Sequence, residues 1–316
     1  MTLGIALAAT NADNYVDAIV DQARVVHELG VGSVWFGQRM DYDSPALAGI
    51  VGREVPGLQV GTSAIPVVGR HPLIVAAQAQ TAQAATHGRY HLGVALGSAL
   101  VAGAFGAPFD RPIARLREFL TAITQLLDTG TAEFHGELLA AAPPWPTALP
   151  GAQPRTPVLV AAMGPQALRV TGELADGILP FLAGPKGLAG TIVPAITRAS
   201  ARTPRVVAFV PAVVTADVDA ARAQALERLA FYEQIPSYRR VIDLEGASRA
   251  GELALIGDEE TVAAGIRRYY EAGATEVVLV STDLTGPADE HRTWSLAGEL
   301  AAQHTTVSAS ADPARN

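Results

Sequence analysis

Eight short apolar runs, each followed by a stretch with helical periodicity, divide this chain from end to end. The runs are rich in valine and leucine and are continuous rather than alternating, which is typical of strands covered on both faces. Their expected positions are 3–7, 33–37, 58–65, 91–96, 157–162, 176–180, 205–213 and 275–280. Eight βα units in 316 residues match a (β/α)8 TIM barrel. A doubly wound open sheet also alternates strand and helix, and the number of units favours the barrel.

The segments between the runs carry helix signals. In DNYVDAIVDQARVVHELG the apolar residues recur every three to four positions, and Gly30 marks the end of the helix. Asp110 is the expected N-cap of a helix with Pro112 in its first turn. The predicted helices are 13–29, 44–53, 72–86, 112–128, 164–174, 187–199, 217–232, 258–272 and about 287–302.

Two segments exceed a minimal barrel. They are 131–154, whose prolines prevent a long helix, and 231–255, between the seventh and eighth strands. Insertions after strands 4 and 7 are expected at the C-terminal face of the barrel, where active sites are built. We predict one barrel domain over 1–303 and a disordered tail over 304–316.

Composition excludes several classes of function. The chain has no cysteine, which excludes disulfides, thiolate zinc sites and a cysteine nucleophile. Its net charge is −8, with no basic patch for a nucleic acid. No apolar run approaches the roughly 20 residues that span a bilayer, and no signal peptide is recognisable. We therefore expect a cytoplasmic protein that acts on a small molecule, with neither a nucleic-acid nor a membrane partner.

In a barrel, functional residues follow the C-terminal ends of the strands. The second strand leads into Gln38 and Arg39, the fourth into Gly97-Ser98, and the fifth through Ala162-Met163 into Gly164-Pro165. Glycine lets a ligand approach the backbone, and the helix that begins there offers free N–H groups and a positive dipole end to a phosphate. The alternative is a tight Gly-Pro turn that only opens a helix.

The third strand has an unusual exit, GTSAIPVVGRHP. Small residues precede Pro66, and the stretch ends on Arg70 and His71. The unperturbed pKa of histidine, near 6.5, suits His71 to donate a proton, and its alternative is a helix cap. We expect Arg70 either to bind a carboxylate, such as an acidic tail of a ligand, or to be an ordinary surface or ion-paired arginine. Gln38 and Arg39 are further candidates for the catalytic pocket.

Five stretches, in order along most of the chain, resemble the luciferase-like flavin family, above all its branch that uses the deazaflavin coenzyme F420. They are GSVWFGQ, GTSAIPVVGRHPLIVAAQAQTAQAATHGRYHLGVALG, FDRPIARLREFL, PVLVAAMGPQALRVTGELADGI and GDEETVAAGIRRYYEAGATEVVLV. The resemblance implies a TIM-type barrel with the flavin-like ring at its C-terminal mouth. It also implies a homodimer.

The resemblance further implies a set of cofactor contacts. A non-proline cis peptide between Ser63 and Ala64, in a bulge that leads to Ile65, would support the ring from behind. The N–H groups of Met163 and Gly164 would hold the phosphate. The implied cofactor-binding residues are Ser63, Ala64, Ile65, Gly97, Ser98, Ala162, Met163, Gly164 and Pro165.

The chain departs from sugar-oxidising relatives at two places. They have an acidic-His pair after strand two and a glutamate after strand four, where this chain has Gln38-Arg39 and Ser98. The acid/base pair for alcohol oxidation is therefore missing. We expect a reductase that passes hydride from reduced F420 to an activated C=C or C=N bond. The alternatives are a reduced-FMN monooxygenase of the same family and a non-catalytic flavin-binding barrel.

Overall fold

The computed structural model describes residues 1–10, 12–281 and 283–310, with side chains described up to residue 303. Strands and helices alternate along the chain, and the predicted fold class, a (β/α)8 TIM barrel, is confirmed. In the described residues the strands are β1 (Thr2–Ala6), β2 (Ser33–Phe36), β3 (Gln59–Thr62), β4 (Ile65–Pro66), β5 (Tyr90–Ala95), β6 (Phe134–His135), β7 (Ala140–Ala141), β8 (Val158–Ala161), β9 (Gly177–Ile178), β10 (Arg205–Val214), β11 (Leu255–Gly257) and β12 (Glu276–Val280).

The helices follow the predicted periodicity in most places. In the described chain they are α1 (Tyr15–Glu28), α2 (Ser44–Glu54), α3 (Pro72–Ala85), α4 (Ala99–Ala104), α5 (Pro112–Thr129), α6 (Pro165–Leu174), α7 (Pro185–Gly187), α8 (Val193–Ala199), α9 (Val218–Arg228), α10 (Pro236–Glu245), α11 (Glu259–Glu271) and α12 (Pro287–Ser310). A π-helical turn, Leu188–Ile192, joins α7 to α8. The predicted N-cap Asp110 is wrong, because Arg111 occupies that position without a side-chain cap and Pro112 opens the helix.

The chain divides into two compact units. The first comprises Met1–Val34, Pro180–Val193 and the described residues from Val206 onward. Its strands β1, β12, β10 and β11 are parallel, with Leu3 opposite Val277 and Ala212 opposite Leu255. The strand β11 was not predicted.

The second unit comprises Trp35–Leu179 and Pro194–Arg205. Its strands β3, β5, β8 and β9 are parallel neighbours, and the end of β2 lies beside β3. On α5 every apolar residue at three-to-four spacing is buried toward this sheet, which is the behaviour of an amphipathic helix. The residues are Leu116, Phe119, Leu120, Ile123 and Leu126.

The predicted third strand, 58–65, is interrupted. It ends at Thr62 and resumes as β4, and both pieces pair with β5. The peptide bond between Ser63 and Ala64 is cis, as predicted. The interruption therefore exposes Ser63 and Ala64 partly, whereas Ile65 is fully buried.

The two insertions differ in position. Segment 131–154 begins after α5 and runs along helices. Gln80 and Gln83 of α3 donate to carbonyls of this segment at 3.1 and 2.6 Å, and Glu118 of α5 accepts three of its backbone N–H groups. The same segment also reaches the exit of β4, where the carbonyl of Ala140 lies 2.9 Å from His71 Nε2, so part of it lies near the strand ends as expected. Segment 231–255 contains α10, whose Tyr238 packs on Phe181, just past β9.

The last helix is longer than predicted. Its backbone continues to Ser310, through the beginning of the predicted tail 304–316, and residues 311–316 lie outside the described residues. The single domain over 1–303 stays a prediction, as does the cytoplasmic location. Among the described residues, none of the helices has the length and apolar character needed to cross a bilayer.

Candidate functional site

The candidate site is the edge of the second unit at which its parallel strands end. The strands β2, β3, β5 and β8 are neighbours in that order, so the segments that follow them meet at one edge. These segments contain the predicted cofactor-binding residues. Ser63, Ala64, Gly97, Ser98 and Gly164 are all partly accessible at this edge.

The N-terminus of α6 has the features of an anion site. Gly164 is the N-cap, Pro165 follows it, and no side chain caps the helix. The backbone of Gly164 has a φ of −80°, and a Cβ added there would meet no atom within 4 Å. Neither backbone conformation nor packing in this structure therefore requires glycine. A glycine beside open space and an uncapped helix start leaves room for a bound phosphate.

Ala162 and Met163, which precede this turn, have buried side chains. Their predicted contribution to a cofactor site is therefore limited to the backbone. The same holds for Ile65, which is fully buried and pairs with Val94. Pro165 is exposed on the first turn of α6.

The turn after β5 does require glycine. Gly97 has a φ of +82°, and a Cβ there would lie 2.8 Å from Val68. The next residue, Ser98, is the N-cap of α4, and its Oγ accepts from the N–H of Val101 at 3.3 Å. Because Oγ is the acceptor in that bond, its O–H is available to donate to a ligand.

Gln38 organises the loop after β2. Its Nε2 donates to the carbonyl of Tyr42 at 2.6 Å, and its Oε1 accepts from Ser44 Oγ and from Arg70, each at 3.0 Å. Arg39 is exposed and forms an ion pair with Asp41 at 2.8 Å. A catalytic role for Gln38 or Arg39 stays a prediction, and for Gln38 it would require breaking bonds that shape the loop.

Arg70 is part of the same network. It contacts Asp43 at 3.2 Å, and Asp43 also caps α2 by accepting from the N–H of Ala46. Gln78 of α3 joins the cluster by donating to Asp43 at 3.2 Å. The alternative of an ordinary ion pair therefore describes Arg70, and this pair joins the exits of β2 and β4.

His71 is the N-cap of α3. Its Nδ1 accepts from the N–H of Leu73 at 3.3 Å, and its Nε2 lies 2.9 Å from the carbonyl oxygen of Ala140. Nε2 therefore carries the hydrogen, and both ring nitrogens are engaged. A proton-donor role stays a prediction, and it would require His71 to leave the helix cap.

His91 lies at the opposite end of its strand. Its ring stacks on Trp35 with centroids 5.8 Å apart, Nε2 bonds to Gln59 at 3.1 Å, and Arg205 approaches Nδ1 at 3.2 Å. Burial and, secondarily, the charge of Arg205 lower the pKa of His91 to about 3. This histidine is neutral and structural, as its position at the start of a strand predicts.

Sequence reasoning missed one charged group at this edge. Arg117 of α5 and Arg169 of α6 both bind Glu173, at 2.6 and 3.1 Å. The spacing of four residues between Arg169 and Glu173 was a visible signal, whereas Arg117 lies 56 residues away and gave none.

The sequence is similar to those of known proteins. A family model described as luciferase-like monooxygenase matches residues 1–276. An F420-dependent glucose-6-phosphate dehydrogenase of Kineococcus radiotolerans is 29% identical over 83% of this chain and 86% of its own. A 5,10-methylenetetrahydromethanopterin reductase of Methanopyrus kandleri is 25% identical over 74% and 79% of the two chains.

The fold is also shared with solved structures. The coenzyme F420-dependent tetrahydromethanopterin reductase of Methanopyrus kandleri has a TM-score of 0.76 at 23% identity, and the match covers 96% of this chain and 99% of that one. This likeness agrees with the TIM-barrel fold. With a family model matching most of its length, the chain belongs to the luciferase-like monooxygenase family.

Proposed function

We propose that this protein is a coenzyme F420-dependent oxidoreductase that reduces an activated C=C or C=N bond of a small organic molecule. The observation that supports a bound flavin-like cofactor is the uncapped start of α6, with open space at Gly164, on the same sheet edge as the Ser63–Ala64 interruption. The name of one relative, an F420-dependent glucose-6-phosphate dehydrogenase, supports the cofactor. The name of another, a 5,10-methylenetetrahydromethanopterin reductase, supports a reduction.

The residues present fit such a cofactor. Ala64 and Gly97 present almost no side-chain volume, which suits a flat ring. The free N–H groups at the start of α6 suit a phosphate. The hydroxyl of Ser98 is free to donate a hydrogen bond to the ring edge or ribityl chain. When bound, the reduced deazaflavin supplies the hydride, and these residues hold and orient it.

The residues after β2 and β5 support reduction rather than alcohol oxidation. Alcohol oxidation needs a base that accepts the hydroxyl proton. Gln38 does not titrate, Arg39 is cationic, and Ser98 replaces the glutamate of sugar-oxidising relatives. Reduction of an enone or a cyclic imine needs one hydride and one proton, and the proton can come from water at the open edge.

One titration tests the cofactor. Purified protein is mixed with micromolar F420 or FMN, and fluorescence and melting temperature are recorded. A ligand at 100 times its dissociation constant stabilises the fold by about 2.7 kcal/mol. We expect a clear shift with F420. Unchanged deazaflavin fluorescence and melting temperature would refute the proposal, and turnover of an enone and imine panel with reduced F420 then tests the chemistry.

A second candidate is a reduced-FMN monooxygenase, which the description of the matching family model favours. The two functions separate cleanly, because reduced FMN reacts with oxygen and the reduced deazaflavin does not. Tight FMN binding accompanied by oxygen consumption would establish the second candidate in place of the first.

We also propose a homodimer. Ile50 of α2 and Ile74 of α3 expose 44% and 62% of their surface, and we assign them to the dimer contact. Light scattering after size exclusion measures the mass. We expect twice the chain mass of 32.8 kDa, and the substitution of both isoleucines by lysine should return the protein to a monomer.

A further inference from the structure

A groove lies between α5 and α6 in the second unit. Its volume is about 450 Å³. It is lined by Ile113, Arg117, Pro165, Gln166, Arg169 and Val170. Pro165 and Gln166 belong to the first turn of α6, so the groove begins at the helix start that we assign to a phosphate.

The groove has a net positive wall. Arg117 and Arg169 share a single carboxylate, Glu173, through one N–H each. Two guanidinium groups facing one carboxylate leave one positive charge uncompensated, in a chain whose total charge is −8. Each guanidinium has five N–H donors, so both arginines retain donors for a second carboxylate.

The spacing suits an extension of the bound phosphate. Arg169 lies five residues beyond the N-cap Gly164, which is about 7.5 Å along the helix axis. Ile113 and Val170 contribute apolar side chains to the lining of the groove. A few covalent bonds beyond the phosphate would therefore bring a carboxylate within reach of both arginines.

We propose that this groove binds a carboxylate-bearing extension of the cofactor, on the far side of its phosphate, and that Arg117 and Arg169 are its ligands. The inference rests on the proposed F420 function. FMN ends at its phosphate, whereas the deazaflavin coenzyme continues through a phosphodiester into a chain of carboxylates. The groove thus distinguishes the two cofactors by charge rather than by the ring.

The test compares two ligands. The first is F420 with its oligoglutamate tail, and the second is the deazaflavin 5′-phosphate, which ends at its phosphate and carries no carboxylate. Fluorescence titration gives both dissociation constants for the wild type and for the Arg117→Gln/Arg169→Gln double variant, at about 50 and about 500 mM salt. The control is Arg24→Gln/Arg222→Gln, which removes two exposed, ion-paired arginines from helices of the first unit.

We expect the wild type and the control to bind the glutamylated ligand about fivefold more tightly than the other at low salt. In the double variant, and at high salt, this ratio should approach one. At low salt the double variant should bind the deazaflavin 5′-phosphate as tightly as the wild type does. If the double variant has a lowered melting temperature, the single variant Arg169→Gln takes its place in the test, because Arg169 is mostly exposed and its substitution should not destabilise the fold.

Two other outcomes separate the claims. Equal binding of both ligands to the wild type, or an undiminished ratio in the double variant, would overturn the groove assignment and leave the F420 function intact. If neither ligand binds the wild type, the proposed function fails, and this inference fails with it.

Discussion

The substitution His91→Gln should remove a specific acid sensitivity of the fold. His91 is held neutral by a donor, Arg205, on Nδ1 and by an acceptor, Gln59, on Nε2. Protonation of His91 would place a second positive charge beside Arg205. It would also add a hydrogen to Nδ1, the ring nitrogen that accepts the hydrogen bond from Arg205. Burial and that charge lower the pKa of His91 from 6.5 to about 3.

The sign and size follow from linkage. Because the unfolded chain binds a proton below pH 6.5 and the folded chain does so only near pH 3, the stability is fully present above pH 6.5 and is lost as the pH falls. At pH 5 this one group lowers the free energy of unfolding by about 2 kcal/mol relative to pH 8. The carboxylates also change the free energy of unfolding between pH 8 and pH 5, but they are the same in the wild type and in the His91→Gln variant.

The assay is urea unfolding of the wild type and His91→Gln at pH 8 and pH 5. Glutamine was chosen because it keeps one hydrogen-bond donor and one acceptor. The comparison uses only the change in the free energy of unfolding between the two pH values. A loss of packing on Trp35 that does not depend on pH therefore cancels. The wild type should lose about 2 kcal/mol more than the variant on acidification. His135→Gln, at an exposed histidine, is the control and should behave as the wild type. Equal losses in all three proteins would refute the reasoning.

Three further substitutions test the candidate site. Gly164→Ala should leave the melting temperature unchanged or slightly higher, because its methyl group enters open space at the helix start. The same methyl group should weaken F420 binding about tenfold, as measured by fluorescence titration. Equal or tighter binding would contradict the assignment of the phosphate site. Gly97→Ala should lower the free energy of unfolding in urea by more than about 1 kcal/mol, since its φ is +82° and Val68 lies 2.8 Å from the new methyl group; an unchanged midpoint contradicts this. Arg70→Met should cost about 1–3 kcal/mol in the same assay, because it leaves Asp43 without its partly buried partner, and it should be rescued in part by the additional change Asp43→Asn.

The order of elements was predictable because the strands are continuous apolar runs and the helices repeat at three-to-four spacing. Errors arose where a local preference competed with context. Asp110 is a good capping residue, yet the chain enters α5 one residue later. Helix α10 was absorbed into an insertion although Pro236 opens it and Gly246, with a φ of +81°, ends it.

The site was predictable to the extent that it consists of backbone and small residues. Gly164 and the segment Ser63–Ala64 follow strands, so their positions were fixed once the strands were placed. The contacts made by long side chains were not predictable from the sequence. Arg70 meets Asp43 across 27 residues and Arg117 meets Glu173 across 56, and no local pattern encodes either pair.

The same distinction bears on the choice of cofactor. The small residues at the strand ends suit any flat ring, and the start of α6 suits any phosphate, so these features fit FMN and the deazaflavin equally. Only a group that contacts what lies beyond the phosphate separates the two. In the described part of the second unit, Arg117 and Arg169 are such a group, since they flank a groove that begins at the phosphate site and keep unused donors. We therefore expect this groove, rather than the ring site, to decide between F420 and FMN.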